Sequence, residues 1–397
     1  MLLTNTTLRS TASNTLARSF SLGVGGGTLE SVTAGQIWTI QGPDAIDVGN
    51  ESLTLTGAGN IVVDTGITGA GGVIKTGTGT ATLFTASTYN GDTDVNAGIL
   101  DVTGAHSGNG DFNANGGTLN LNDRAYEGVA TGNFNLADGA TLNFANTFRC
   151  GDGVAGTYTF NLGNGTVSGL ENNATFFAGA AHTVNLLGAY QHTLQSTTVF
   201  TGQNIDYQGD PTLTVVGSNG GVDLASLNVP AGKKLSIQIA NTNTQGNAAL
   251  TATGNITIAQ GDLTIDLDTL GYTVAPGRFD VFEGNWTNAS PSWEILKDGY
   301  TISYVYANNV LFGTVNPIFE PSQEVTNPEA VMVISTGSPT PNSPTSDIKV
   351  AMQGATTTER DRIVQQFTPS MAAAGVIQNY NADRALLRLV GIELDNP

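Results

Sequence analysis

The chain has 397 residues, a net charge of −19 and only 12% charged side chains. That excess of acid argues against nucleic acid and against an anionic membrane surface, because both need Lys and Arg to neutralise phosphate. With 51 glycines, 7% aromatics and 39% hydrophobic residues, the composition points away from disorder and from a helical protein, and toward many short strands and turns.

Residues 1–70 read as incomplete turns of a β-helix. Phe20, Leu22 and Val24 alternate, followed by Leu29, Val32, Ile37, Trp38 and Ile40, then Leu53-Thr54-Leu55 and Ile61-Val62-Val63, each bracketed by Gly or Asn. No apolar leader follows Met1. Gly25-Gly26-Gly27-Thr28-Leu29 has the look of the middle of a repeat, so the chain is expected to be a piece of a longer precursor. No run of about 18 apolar residues is present, so no transmembrane helix is expected.

The most regular stretch runs from Gly71 to Val102. Val73, Leu83, Val95, Ile99, Leu100 and Val102 are its apolar pegs among small polar residues, read as three short alternating strands. So many glycines and β-branched residues would burden a helix by up to ~1 kcal/mol each relative to Ala. A segment this short cannot bury a core alone and has to stack on copies of itself.

The same stretch resembles the autotransporter-associated β-strand repeat. The matching residues are Gly71, Gly72, Lys75, Thr76, Gly77, Gly79, Thr80 and Leu83, then Tyr89, Gly91, Thr93, Val95, Asn96, Gly98 and Leu100. The chain departs from that pattern at Ser87, where Asn is usual, and at Asp92 and Asp94, where small residues are usual. The resemblance implies a right-handed parallel β-helix in a bacterial surface or secreted protein. It implies no catalytic activity.

From 103 to 268 the device recurs more loosely, a glycine-bearing turn followed by an alternating strand. Gly117–Leu121, Gly139–Phe144, Tyr158–Phe160, Val184–Leu186, Leu213–Val215, Leu235–Ile239, Ile256–Ile258 and Leu263–Leu267 are examples. The spacing of about twenty residues suits one coil of a parallel β-helix. An ordinary β-sandwich also alternates; the recurring Gly-Gly-Thr-Leu favours the coil. The expected organisation is all-β: coils over 1–269, with the best repeat at 71–102, and a heavier, more aromatic C-terminal cap over 270–315. A Pro/Ser/Thr-rich linker follows at 316–346, then a helical tail at 347–397, which in the resembled family would lead toward an outer-membrane barrel.

Chemistry was sought in several places. Asp262, Asp266 and Asp268, and Asp92 with Asp94, are the carboxylate groupings a glycan lyase or glycosidase on this fold would need; solvated outward positions are the competing reading. His106, His182 and His192 are far apart; His182 and His192, about half a coil from each other, could meet, but two histidines without a third ligand are a weak metal signal, and a surface or turn role suits them better. Asn109-Gly110-Asp111 and Gly151-Asp152-Gly153 are the turns where calcium would be sought, though Asp-Gly is also an ordinary turn signal. Cys150, the lone cysteine, suits a small buried hydrophobe. No residue is assigned as catalytic, cofactor-binding or metal-binding, and no cofactor is expected.

The sequence therefore reads as a non-enzymatic, extracellular or cell-surface structural or adhesive rod, outer-membrane associated through a part beyond this chain. About a dozen coils at ~4.8 Å each would span roughly 60 Å. Its partners are expected to be other copies of itself, head-to-tail or lateral in filaments or a surface layer, or cell-surface carbohydrate. The rival reading is a carbohydrate-active enzyme on the same fold, and a third is a cytoplasmic assembly protein.

Overall fold

A computed structural model describes residues 1–317 apart from 127, 146–147, 152–155, 171–174, 177–181, 197–199, 201, 260–261, 288–291 and 298. Nearly all of the linker and the whole of the tail expected at 347–397 lie outside the described residues. Among those described, the only helical element is a single 3-10 turn, Ser218–Gly220.

The alternation of apolar and polar residues folds into a parallel β-solenoid. A first sheet stacks Thr6–Ser10, Gly27–Ser31, Leu53–Gly57, Val73–Lys75, Thr93–Val95, Phe112–Ala114, Thr131–Leu136, Thr157–Leu162, Thr183–Gly188, Asn204–Tyr207, Ser226–Val229 and Leu250–Ile258. Each strand pairs parallel to the equivalent strand of the next coil. A second sheet of eight strands runs from Asn14–Leu16 to Thr166–Ser168. A separate four-stranded stack takes up the same place in later coils, from Thr193–Leu194 to Leu263–Asp266.

The third side of each coil is thinner. Leu2–Leu3, Ser21–Leu22, Ile46–Asp47 and Ile67–Thr68 form two-residue strands. Single bridges then carry the ladder from Ser87 to His106 and from His106 to Ala125. Beyond them Arg124–Ala125, Arg149–Cys150 and Thr175–Phe176 form another short sheet.

Inward positions stack into columns. Leu8, Leu29, Leu55, Lys75, Val95, Ala114, Leu136 and Leu162 are successive partners in the first sheet. In a neighbouring column Phe112, Phe134 and Phe160 align, the first pair of rings 5.8 Å apart and the second 4.9 Å. Such stacking adds to the burial of large apolar area that holds the coils together. Coil length varies: side-chain hydrogen bonds between matched positions span 19 residues at Asn113–Asp94, 26 at Asn185–Thr159 and 30 at Asn285–Asn255. Extra residues leave mainly at the corners; between Leu250–Ile258 and the next strand, Gly277–Trp286, the register itself shifts between Thr251 and Asn255.

The stretch 71–102 holds four strands, Val73–Lys75, Thr80–Leu83, Thr93–Val95 and Ile99–Val102, where three were expected. It is two coils, because the corner at Thr76–Gly79 breaks each apolar run into one strand per sheet. Gly77, at φ 69°, takes the left-handed conformation at that corner.

The chain divides into two compact units. The first comprises Met1–Tyr272, Phe279–Pro291 and Tyr306–Phe312, and holds the coils. Within it the Tyr306 hydroxyl donates to Gly284 O and accepts the Trp286 N–H, both at 2.9 Å. In the second unit Ser292–Lys297 pairs antiparallel with the strand beginning at Tyr300.

Candidate functional site

The outward face of the first sheet is a continuous polar column. Asp111, Asn133, Thr159, Asn185, Asp206, Asn228 and Thr257 occupy equivalent positions in successive coils. Asn133 Nδ2 donates to Asp111 at 2.8 Å, Asn185 Nδ2 to Thr159 at 3.3 Å and Asn228 Nδ2 to Asp206 at 2.8 Å. A parallel row links Asn135 to Asn113 at 2.7 Å and Asn113 to Asp94 at 2.9 Å. On the second sheet Asn120 donates to Asp101, Asn143 to Asn120 at 2.8 Å, and the Ser168 hydroxyl to Asn143 at 2.6 Å. Parallel in-register strands bring like residues opposite one another, and amides satisfy one another along the stack. An amide that donates once in this way has a second N–H, and its carbonyl has two lone pairs.

These ladders place the carboxylates singled out in the sequence. Asp94 accepts from Asn113 and from Asn115, and Asp92 accepts the Asp111 N–H at 2.9 Å. Asp266 ends its strand as a turn residue: its Oδ1 accepts the N–H groups of Asp268 and Thr269, and its Oδ2 the Thr269 hydroxyl. Asp268 therefore lies in the turn beyond the strand and not on a shared face with Asp266, contrary to the alternation expected there. Asp262 accepts the Gly232 N–H at 3.2 Å. Among the described residues, no group of three His, Cys, Asp or Glu side chains is placed to hold a metal ion. Of the two turns named for calcium, Asp111 is engaged in the ladder, and Asp152 and Gly153 lie outside the described residues.

Three interior features were not legible as such. His182 and His192 are fully buried and His106 is 1% exposed, so the surface or turn role expected for the histidines is corrected. Their aromatic rings pack among tyrosines inside the coils: His106 on Tyr89, His182 on Tyr158, His192 on Tyr190 and Tyr207. Burial pulls the His106 imidazole down to about 4. Cys150 is buried, as the sequence suggested, and desolvation pushes its thiol up.

Lys75 is the second feature. It faces inward between Leu55 and Val95 and is 2% exposed. Its ammonium donates to Thr76 O at 2.6 Å and Gly77 O at 2.9 Å, and to Ala97 O of the next coil at 3.2 Å. Burial lowers it to about 8. The signal was available, since Val73 and Lys75 share one parity in the strand. The third is Tyr126, buried with φ 59°, a rare conformation for a bulky residue. Its hydroxyl donates to Asn133 O at 2.7 Å and accepts the Asn133 N–H at 3.0 Å.

Against this geometry, residues 73–102 match the family described as the Passenger-associated-transport-repeat. The chain carries an autotransporter passenger-like repeat. The match covers both coils that hold Lys75 and the start of the Asp94 ladder. The chain is also 33% identical over 201 residues to the Adhesin BmaC autotransporter of Brucella suis biovar 1 (strain 1330), an alignment covering 46% of this chain and 6% of that protein. The chain thus spans a small fraction of the length of that curated relative. No solved structure matches.

Proposed function

We propose that the chain is a stretch of a non-enzymatic, cell-surface adhesive passenger, in which the solenoid displays polar faces outside the cell. The observation that carries this reading is the passenger repeat at 73–102 built into a parallel solenoid, supported by the likeness to a protein named as an adhesin. The placement of the candidate carboxylates in ladders and turns gives the rival reading of a glycan-cleaving enzyme no support.

The partner reading is narrower. Neutral glycan suits the outward columns of amides and hydroxyls, whose side chains can donate and accept at several successive coils. Self-association would be axial and not lateral. Between Arg18 and Arg124 the chain holds ten Asp or Glu and a single cation, the buried Lys75. Two such surfaces side by side repel, which leaves the direction along the solenoid axis for contact between copies.

The test is adhesion by beads coated with the full chain, compared with uncoated beads, on host cells and on immobilised neutral and anionic glycans. Retention on cells supports the reading, and retention on neutral glycans alone identifies the partner class. Binding no better than uncoated beads on every surface would sink the adhesive reading.

A further inference from the structure

We propose that the third side of the solenoid opens locally at the His106 coil when the surroundings become acidic, while the first and second sheets of the same coil stay paired. Two independent features meet there. The first is the imidazole itself. It is buried with neither ring nitrogen hydrogen-bonded, and it packs 4.4 Å from the Tyr89 ring and 5.2 Å from the Phe112 ring. A neutral imidazole is tolerated as an aromatic disc. An imidazolium would bring a full charge and two N–H donors into a site that offers no acceptor.

The second feature is the weakness of the ladder at the same point. In strand pairing His106 has only isolated bridges, to Ser87 and Ala125, with the Ser87 N–H donating to Ala105 O, the Ser107 N–H to Ser87 O, and the Thr103 and Gly104 N–H groups to Leu83 O. In the same coil the first sheet pairs over three residues, Thr93–Val95 with Phe112–Ala114, and the second over four, Ile99–Val102 with Thr118–Leu121. The segment between Val102 and Phe112 is therefore the part that can lift away with least loss, in keeping with the local openings that proteins sample.

Among the described residues no carboxylate faces the ring, and the Tyr89 and Phe112 rings offer an imidazolium only the partial compensation of a cation–π contact. Tyr89 shares its hydroxyl proton with Thr93 Oγ1 at 2.6 Å. Ser87 Oγ accepts the Ile67 N–H and donates to Thr85 O. Ala125 and Phe112 present no titratable group, and Tyr126, behind Phe112, has its hydroxyl engaged with Asn133. Burial alone sets the lowered affinity of His106 for a proton. The sign follows: the opened state binds a proton with the ordinary affinity of histidine and the closed state binds it more weakly. The closed state is thus favoured above about pH 6.5 and loses ground as pH falls toward 4.

The experiment is peptide-resolved hydrogen exchange of the full chain at pH 6.5 and pH 4.5, corrected for intrinsic rates, in wild type and His106→Phe. The expected result is an increase in opening of on the order of 30-fold for peptides covering 104–110 in the wild type, with little change for 93–95 and 112–114. The increase is expected to be absent in His106→Phe. Peptides containing His182 and His192 report separately. An unchanged 104–110, or an equal increase in the variant, overturns the proposal. Should the variant not fold, the NMR titration of the wild-type imidazole decides. A midpoint well below 6.5 supports the proposal, and one at the ordinary histidine value overturns it.

Discussion

Lys75 stands where alternation calls for an apolar side chain, and it joins two coils. Its ammonium holds two carbonyls of its own corner and one of the corner above, all three on half-buried residues. Lys75→Met keeps the apolar stem and deletes those bonds, so a loss of about 2 to 4 kcal/mol is expected from urea unfolding at pH 7. The pH dependence has a definite sign. Lys75 binds its proton less tightly in the fold than in the unfolded chain, so between about 8 and the ordinary 10.5 the unfolded chain holds more protons. Wild-type stability relative to Lys75→Met should therefore rise through that window, and parallel profiles would show that the three carbonyls fully offset the cost of burying the charge. Tyr126 makes a second residue-scale prediction. A Cβ at Gly132 would lie 2.3 Å from its ring, and the ring is pinned by its own hydroxyl. Gly132→Ala should lower stability by about 1 to 3 kcal/mol, whereas Gly139→Ala is free of steric contact and carries only the cost of its positive φ.

At the scale of the element, most strands of the first two sheets were legible because they hold an in–out–in alternation bounded by Gly or Asn, unlike the end strands Asn14–Leu16 and Thr166–Ser168. Leu53–Gly57, Asn60–Val63 and Thr118–Leu121 fall on the expected runs. The third side was not legible. Strands such as Ile46–Asp47 and Ile67–Thr68 are two residues long, too short to show a period, and the single bridges at His106 show none at all. The histidines were misplaced for the same reason, since nothing local marks which way a residue in such a bridge points. The mutual bonding of the ladders was not legible either, because which residues of neighbouring coils meet depends on corners of unequal length. That bonding is testable. Asn113 donates to Asp94 and accepts from Asn135. Asn113→Asp would set two carboxylates opposite each other, which destabilises a sheet. The melting temperature should fall at pH 7 and recover toward wild type near pH 3 to 4, as the pair takes up protons. Asn113→Ala should show a loss of about 1 kcal/mol with no such recovery.

For the whole molecule, charge sets the test of the proposed self-association. The stretch between Arg18 and Arg124 has carboxylates and no exposed cation, so lateral contact is opposed at low salt and relieved as the Debye length shortens to about 3 Å at 1 M. Light scattering at rising concentration should show no lateral bundling in dilute buffer. End-to-end growth at both ionic strengths would support axial assembly, and a monomer under all conditions would exclude filaments as the working state.

The variable coil carries a consequence for how such a chain changes over generations. Between Gln238 and Leu250 the chain leaves the ladder and returns to it. Asn243 ties the excursion together by accepting the Ala240 N–H, and Ala249 donates to Asp280 as the next coil closes. Residues gained or lost in that excursion leave the parity of every strand untouched, whereas one residue gained inside a strand would turn its core face outward. Corners of this kind are thus where a gene can drift in length, or where an engineer can splice in a foreign peptide, without the scaffold having to be reinvented.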